Sequence, residues 1–127
     1  MRSARPHAGF TLVELLVVMA VIGLLLSIAA PRFVHQVDRS RDVVLRHNLA
    51  GLREAIQQFH ADKGRYPVAL QELVDKGYLR SVPMDPMTER DDTWRMVPPP
   101  GEPGPAWFDV RSGAPGTAQD GTVYASW

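Results

Sequence analysis

The fold is decided by one apolar stretch, residues 10–30, which reads FTLVELLVVMAVIGLLLSIAA. These 21 residues contain a single charged side chain, Glu14. A helix of this length spans about 31 Å, which matches the hydrocarbon thickness of a bilayer. The stretch therefore predicts a helix that crosses a membrane once.

An ordinary secretory signal is the alternative interpretation of this stretch, because Ser27-Ile28-Ala29 offers a small-residue cleavage site. The apolar region of such a signal is usually 7–15 residues long and carries no acid. This stretch is longer and contains Glu14, so the membrane helix is favoured.

Glu14 is the informative residue of the stretch. An acid at the centre of a membrane helix costs about 2.5–3.5 kcal/mol, although this one lies nearer the end. One interpretation is a carboxylate tolerated close to the interface. The other is a buried carboxylate paired with a cation, and cleavage after Gly9 would provide the Phe10 ammonium of the same or a neighbouring chain.

Residues 9–18, GFTLVELLVV, resemble the class III prepilin signal of type IV pilins and type II secretion pseudopilins. The resemblance rests on a short basic leader ending at Gly9, on Phe10, on Glu14, and on Pro31 after the apolar run. It implies that a membrane peptidase cleaves after Gly9 and that the new Phe10 amine is methylated. It also implies that Phe10, Glu14 and Pro31 act in filament assembly.

A helical pattern continues beyond the membrane segment, and we expect one helix over residues 10–62. Pro31 should kink or locally melt it, because proline lacks an N–H and clashes with the preceding turn. Asp42 can pair with Arg46 one turn on. One face carries apolar residues at helical spacing and is expected to pack on the chain's own head. These residues are Leu45, Leu49, Leu52, Ile56 and Phe59.

The remainder of the chain predicts a small α+β head of the pilin-like kind, with a long amino-terminal helix packed on a small antiparallel sheet. We expect a short amphipathic helix over 70–74 and strands over 93–97 and 107–111. The proline-rich residues 98–105 should form an exposed loop between the strands. Four aromatic residues are expected in the core or on the sheet, namely Trp94, Trp107, Phe108 and Tyr124.

The middle and end of the chain are similar to the major, G-type pseudopilins of type II secretion. The similarity lies in residues 62–67, 77–79, 83–86 and 108–114. It implies a calcium site in the final loop, made by backbone carbonyls with acidic or hydroxyl side chains. The acid available within residues 112–122 is Asp120, and a simple Asp120-Gly121 turn is the alternative.

Composition argues against an enzyme and against nucleic-acid binding. The chain has 14 basic and 14 acidic residues, and removal of a leader at 1–9 would leave 12 basic residues. No basic excess favours nucleic acid, and no cysteine is present to act as a nucleophile or metal ligand. The four histidines lack the HExxH spacing, and His47 and His60 are expected on the solvated surface of the predicted helix. The four are His7, His35, His47 and His60.

The predicted organisation is a prepilin leader at 1–9, a transmembrane and filament-core helix at 10–30, and a periplasmic head at 31–127 that includes the amphipathic half of the helix. The resemblance implies a single-pass subunit of a type II secretion pseudopilus, assembled from the bacterial inner membrane to drive protein export. Its implied partners are copies of itself, minor pseudopilins, the prepilin peptidase and methyltransferase, the inner-membrane secretion platform and membrane lipid. The one cofactor that the resemblance implies is calcium.

Two alternatives remain open. The first is a minor pseudopilin or a type IV pilin, whose filament would serve adhesion, motility or DNA uptake. The second is a monomeric membrane-anchored binding module that uses the proline-rich loop and Trp127. Glu14 weighs against this module, because a lone anchor has no reason to keep an intramembrane acid.

Overall fold

The computed structural model describes residues 9–127, and it confirms an α+β fold with one long amino-terminal helix. The elements are, in order, helix α1 (Leu12–Lys63), helix α2 (Leu70–Asp75), strand β1 (Arg95–Val97), strand β2 (Asp109–Arg111) and a 3₁₀ turn (Tyr124–Ser126). Helix α1 has 52 residues, and its ends lie within two residues of the predicted ones.

Contacts divide the chain into two compact units, the first ending at Val37 and the second comprising Asp38–Trp127. Helix α1 contributes to both units. It is helical across Pro31, so the local melting expected there is not found. Its carboxyl end is set by Gly64, which has a φ of 70° and donates its N–H to the His60 carbonyl at 2.9 Å.

The core of the second unit is supplied largely by α1, as the spacing predicted. The five apolar residues of the predicted face are each at most 1% exposed. They pack with residues from α2, from β2 and from the end of the chain. The other buried apolar members of this core are Ala55, Leu70, Leu73, Trp94, Val110, Ala114, Ala118 and Tyr124.

Helix α2 ends in a hydrogen-bonding pattern that requires glycine. The N–H of Tyr78 donates to the Leu73 carbonyl at 2.8 Å, and that of Gly77 donates to Val74 at 3.1 Å. This pair of bonds is the Schellman motif, in which the residue after the cap is left-handed. Gly77 has a φ of 85°.

The sheet is a two-stranded antiparallel pair with Met96 opposite Val110. Both strands were predicted, and each is two residues shorter than expected. Strand β2 does not extend to residue 107, because the Trp107 N–H donates to the Pro67 carbonyl at 2.8 Å.

Gly113 lies where the chain leaves β2 and passes against the segment that precedes β1. A Cβ on Gly113 would collide with the main-chain oxygen of Thr93. Only glycine allows two backbones to approach this closely. The close approach of the two backbones therefore explains why position 113 is a glycine.

Trp94 and Tyr124 are buried as expected, and Phe108, which adjoins strand β2, is 40% exposed with its ring edge-on to Tyr66. One side-chain prediction needs correction. His60 is not simply solvated, because it is half-buried and its ring stacks on Tyr66 with centroids 4.1 Å apart. His47 is exposed, as predicted.

Candidate functional site

The predicted processing point lies just before the start of α1. Gly9 and Phe10 are outside the helix, and Phe10 is 81% exposed. A Cβ built on Gly9 would meet no atom of the chain within 4 Å. Packing inside the described chain therefore gives no reason for a glycine at this position. Residues 1–8 of the predicted leader lie outside the described residues.

Thr11 caps the start of α1, and sequence reasoning missed this role. The Glu14 N–H donates to the Thr11 hydroxyl at 3.2 Å, and the Leu15 N–H donates to the Thr11 carbonyl at 3.0 Å. The spacing Thr-x-x-Glu is the signature of a capping box, so the signal was present in the sequence. An acid in the first helical turn also interacts favourably with the helix dipole.

The amino-terminal part of α1 is long and apolar enough to cross a membrane, and none of that stretch is buried within the described chain. Glu14 and its neighbours in the first turn are exposed. This stretch is therefore not a core helix of the described chain. The alternative cleavage site at Ser27 lies inside α1, where the Ser27 hydroxyl donates to the Leu24 carbonyl at 2.7 Å.

Comparison with known proteins agrees with these features. Residues 4–30 match the family model of the prokaryotic N-terminal methylation motif. A type II secretion system core protein G of Klebsiella michiganensis is 28% identical, over 91% of this chain and 92% of the relative. A type IV major pilin protein, PilA of Myxococcus xanthus, is 39% identical over 53% of this chain and 30% of the relative. No solved structure matched.

The deciding relative is a type II secretion system core protein G of Klebsiella pneumoniae. It is 30% identical, over 61% of this chain and 67% of the relative. The chain belongs to the type II secretion core protein G family. Members of this family are structural pseudopilins, and the apolar helix together with the methylation motif fits anchoring in the inner membrane.

Asp120 lies in an exposed turn, and both of its carboxylate oxygens accept hydrogen bonds. Oδ1 accepts hydrogen bonds from the Thr122 N–H at 3.0 Å and from the Thr122 hydroxyl at 2.5 Å. Oδ2 accepts from Arg46 Nη2 at 3.0 Å. The two Thr122 bonds, with the Arg46 charge, hold the pKa of Asp120 below its usual value.

The structure has the Asp120-Gly121 turn that the sequence offered as the alternative to a calcium site. Gly121 has a φ of 87° and donates its N–H to the Ala118 carbonyl at 3.0 Å. Within residues 9–127, no group of three or more histidine, cysteine or acidic side chains is placed to hold a metal ion. The assignment of Asp120 as a calcium ligand stays a prediction.

Two further oxygen-bearing side chains near the final loop, Ser112 and Asp109, bind other partners. The Ser112 hydroxyl is fully buried and donates to Asp85 Oδ2 at 2.6 Å. Asp109 Oδ1 accepts from Arg53 Nε at 2.8 Å. Neither side chain shares a contact with Asp120, so the structure does not bring these donors together.

The prediction of an ion pair between Asp42 and Arg46 is wrong. Arg46 pairs with Asp120, and Asp42 Oδ1 accepts the Tyr124 hydroxyl at 2.6 Å. Burial, followed by this bond to a carboxylate, raises the pKa of Tyr124 to about 12. Both charged residues of α1 therefore bind the end of the chain rather than each other.

Proposed function

We propose that this chain is a structural subunit that polymerises into a type II secretion pseudopilus and, through that filament, serves protein export. Membership of the type II secretion core protein G family supports the assignment of this chain as a structural pseudopilin. One observation supports filament assembly. An acid, Glu14, lies in the first turn of an apolar helix that no part of the described chain covers.

Exposed apolar residues beyond the bilayer-length stretch also support packing against neighbouring subunits. Four large apolar side chains after Pro31 are between 46% and 67% exposed. A simple membrane anchor would leave them in water, whereas helices of adjacent subunits would cover them. These residues are Phe33, Val34, Val43 and Val44.

In the proposed filament, the Glu14 carboxylate pairs with the Phe10 ammonium that cleavage after Gly9 creates on a neighbouring subunit. Loss of one partner from a buried ion pair costs about 3–5 kcal/mol, because the other charge is left without compensation. Removal of an acid from a membrane helix makes insertion easier. Assembly and insertion should therefore respond in opposite directions to the same substitution.

The test is Glu14→Ala in cells that otherwise assemble filaments. We expect membrane levels equal to or above wild type and filament yield reduced to near zero, with Glu14→Gln behaving similarly. The measurement is the amount of sheared filament relative to membrane-embedded subunit for each variant.

Thr11→Val is the matched control, because it removes the helix cap and leaves the Glu14 carboxylate in place. If Glu14 acts by charge pairing, Thr11→Val should retain most of the filaments. Equal loss in Thr11→Val would assign the effect to a frayed helix end. Wild-type filament yield from Glu14→Ala would refute the pairing and favour a monomeric anchored module.

We further propose that the chain spans the inner membrane once with its head in the periplasm. Its partners would be other copies of itself, minor pseudopilins, the prepilin peptidase and methyltransferase, the secretion platform and membrane lipid. The similarity to a type IV major pilin protein supports a surface filament as the second candidate. Loss of protein export on deletion, without loss of a surface filament, would separate the first candidate from the second.

A further inference from the structure

The side chains of the carboxy-terminal loop do not supply the donors that a calcium ion needs. Calcium takes six to eight oxygen ligands. Asp120 is the acid within residues 112–127, and both of its oxygens already accept hydrogen bonds. The Ser112 hydroxyl is buried against Asp85. The cation that Asp120 contacts is the guanidinium of Arg46.

Four side chains form what we call the Arg46 cluster, defined as Arg46, Asp120, Thr122 and Trp127. The Arg46 guanidinium bonds to Asp120 on one side, and its Cζ lies 4.1 Å from the centroid of the Trp127 ring. The indole Nε1 of Trp127 donates to the Thr122 hydroxyl at 2.6 Å, and that hydroxyl donates to Asp120 Oδ1. Each of the four side chains therefore contacts two of the others, and the contacts form a closed ring.

Two other residues of α1 bind the same segment on either side of the Arg46 cluster. One turn before Arg46, Asp42 accepts the Tyr124 hydroxyl. Two turns after it, Arg53 Nη2 donates to the main-chain oxygen of Trp127 at 2.8 Å and to that of Val110 at 3.0 Å. The loop is thus attached to α1 at three successive levels, and an arginine makes the contact at two of them.

We propose that the Arg46 guanidinium takes the place of a bound cation in the carboxy-terminal loop, so that this head is closed by its own helix and does not depend on calcium. The planar guanidinium suits this position because it can bond to a carboxylate at its edge and stack on an indole with its face. The inference does not rest on filament assembly, and its test requires no filaments.

The test uses the full-length chain in detergent micelles, with unfolding followed by tryptophan fluorescence. We expect the wild-type Tm to be the same in calcium chloride and in chelator. Arg46→Ala should lower the Tm by about 4–8 °C in both conditions, the scale expected when a stacked, paired guanidinium is lost from a small head. Arg41→Ala is the matched control, since Arg41 is an exposed arginine of the same helix, and it should leave the Tm unchanged.

Two further variants show whether Arg46 acts through the loop. Arg46→Lys keeps the charge without the planar face, so its Tm should lie between those of wild type and Arg46→Ala. The double variant Arg46→Ala/Asp120→Ala should be less destabilised than the two single changes added together, because they remove the same contact. Additive effects would contradict the proposal, as would a wild-type Tm raised by more than about 3 °C in millimolar calcium. An Arg46→Ala melt identical to that of Arg41→Ala would also overturn it.

Discussion

Asp85 is the fully buried acid of the described head, and its replacement gives a sharp test of how the head is held together. Its carboxyl accepts two hydrogen bonds, from the Met87 N–H at 2.8 Å and from the Ser112 hydroxyl at 2.6 Å. The Ser112 hydroxyl also accepts the Ala114 N–H at 3.1 Å. These bonds connect the turn at 83–90 with the end of strand β2.

Asp85→Ala would leave these donors without their acceptor. A buried donor that loses its partner costs about 1–3 kcal/mol. Ser112 is fully buried and should incur most of this cost, whereas Met87 is half-buried and can partly recover a bond to water. We expect a loss of about 2–4 kcal/mol, a large part of the roughly 5–13 kcal/mol typical of a unit the size of Asp38–Trp127.

The assay is urea unfolding of the full-length chain in detergent, with Trp94 as the local probe. The Trp94 indole donates to the Pro83 carbonyl at 2.8 Å, close to Asp85. Asp85→Asn is the matched control, because an amide keeps one acceptor for Met87 and should lose less than half as much stability. An Asp85→Ala variant within about 0.5 kcal/mol of wild type would refute the reasoning.

Two more predictions concern the end and the beginning of the chain. The folded pKa of Tyr124 lies above its ordinary value of 10.0, at about 12, so its contribution to stability is complete below pH 10 and is lost as the pH rises through about 12. Urea midpoints across this window should fall more steeply for wild type than for Tyr124→Phe, and parallel curves would contradict the assignment. Gly9→Val should leave a full-length precursor in the membrane, because the peptidase would no longer accept the site. Mass analysis that finds a mature chain starting at Phe10 in this variant would disprove the cleavage prediction.

The elements that were predictable from sequence depend on contacts that repeat along the chain. The buried face from Leu45 to Phe59 follows the helical period, and one long helix presents that face to a single core. Gly64 and Gly77 mark helix ends because their left-handed backbone disfavours other residues. Thr11 also acts on a residue close to it in sequence, so its capping role could be inferred from the Thr-x-x-Glu spacing.

The residues that were not predictable act across long sequence separations. Arg46 is one turn from Asp42, so local spacing favoured that pair, yet the fold brings Asp120 to Arg46 from 74 positions away. Asp85 lies in a proline-rich turn that looks solvent-exposed, and its burial depends on Ser112, 27 positions later. No periodicity encodes such contacts, because each depends on where a loop returns to the helix.

The contact between Asp42 and Tyr124 joins positions 82 residues apart, and this separation has a consequence for the order of folding. Contacts distant in sequence carry a large closure entropy and slow the approach to the native state. During synthesis, Leu45, Leu49 and Leu52 emerge long before residues 118–127 that help to cover them. The apolar face of α1 therefore stays open to chaperones, or to misassociation with other nascent chains, until that segment arrives.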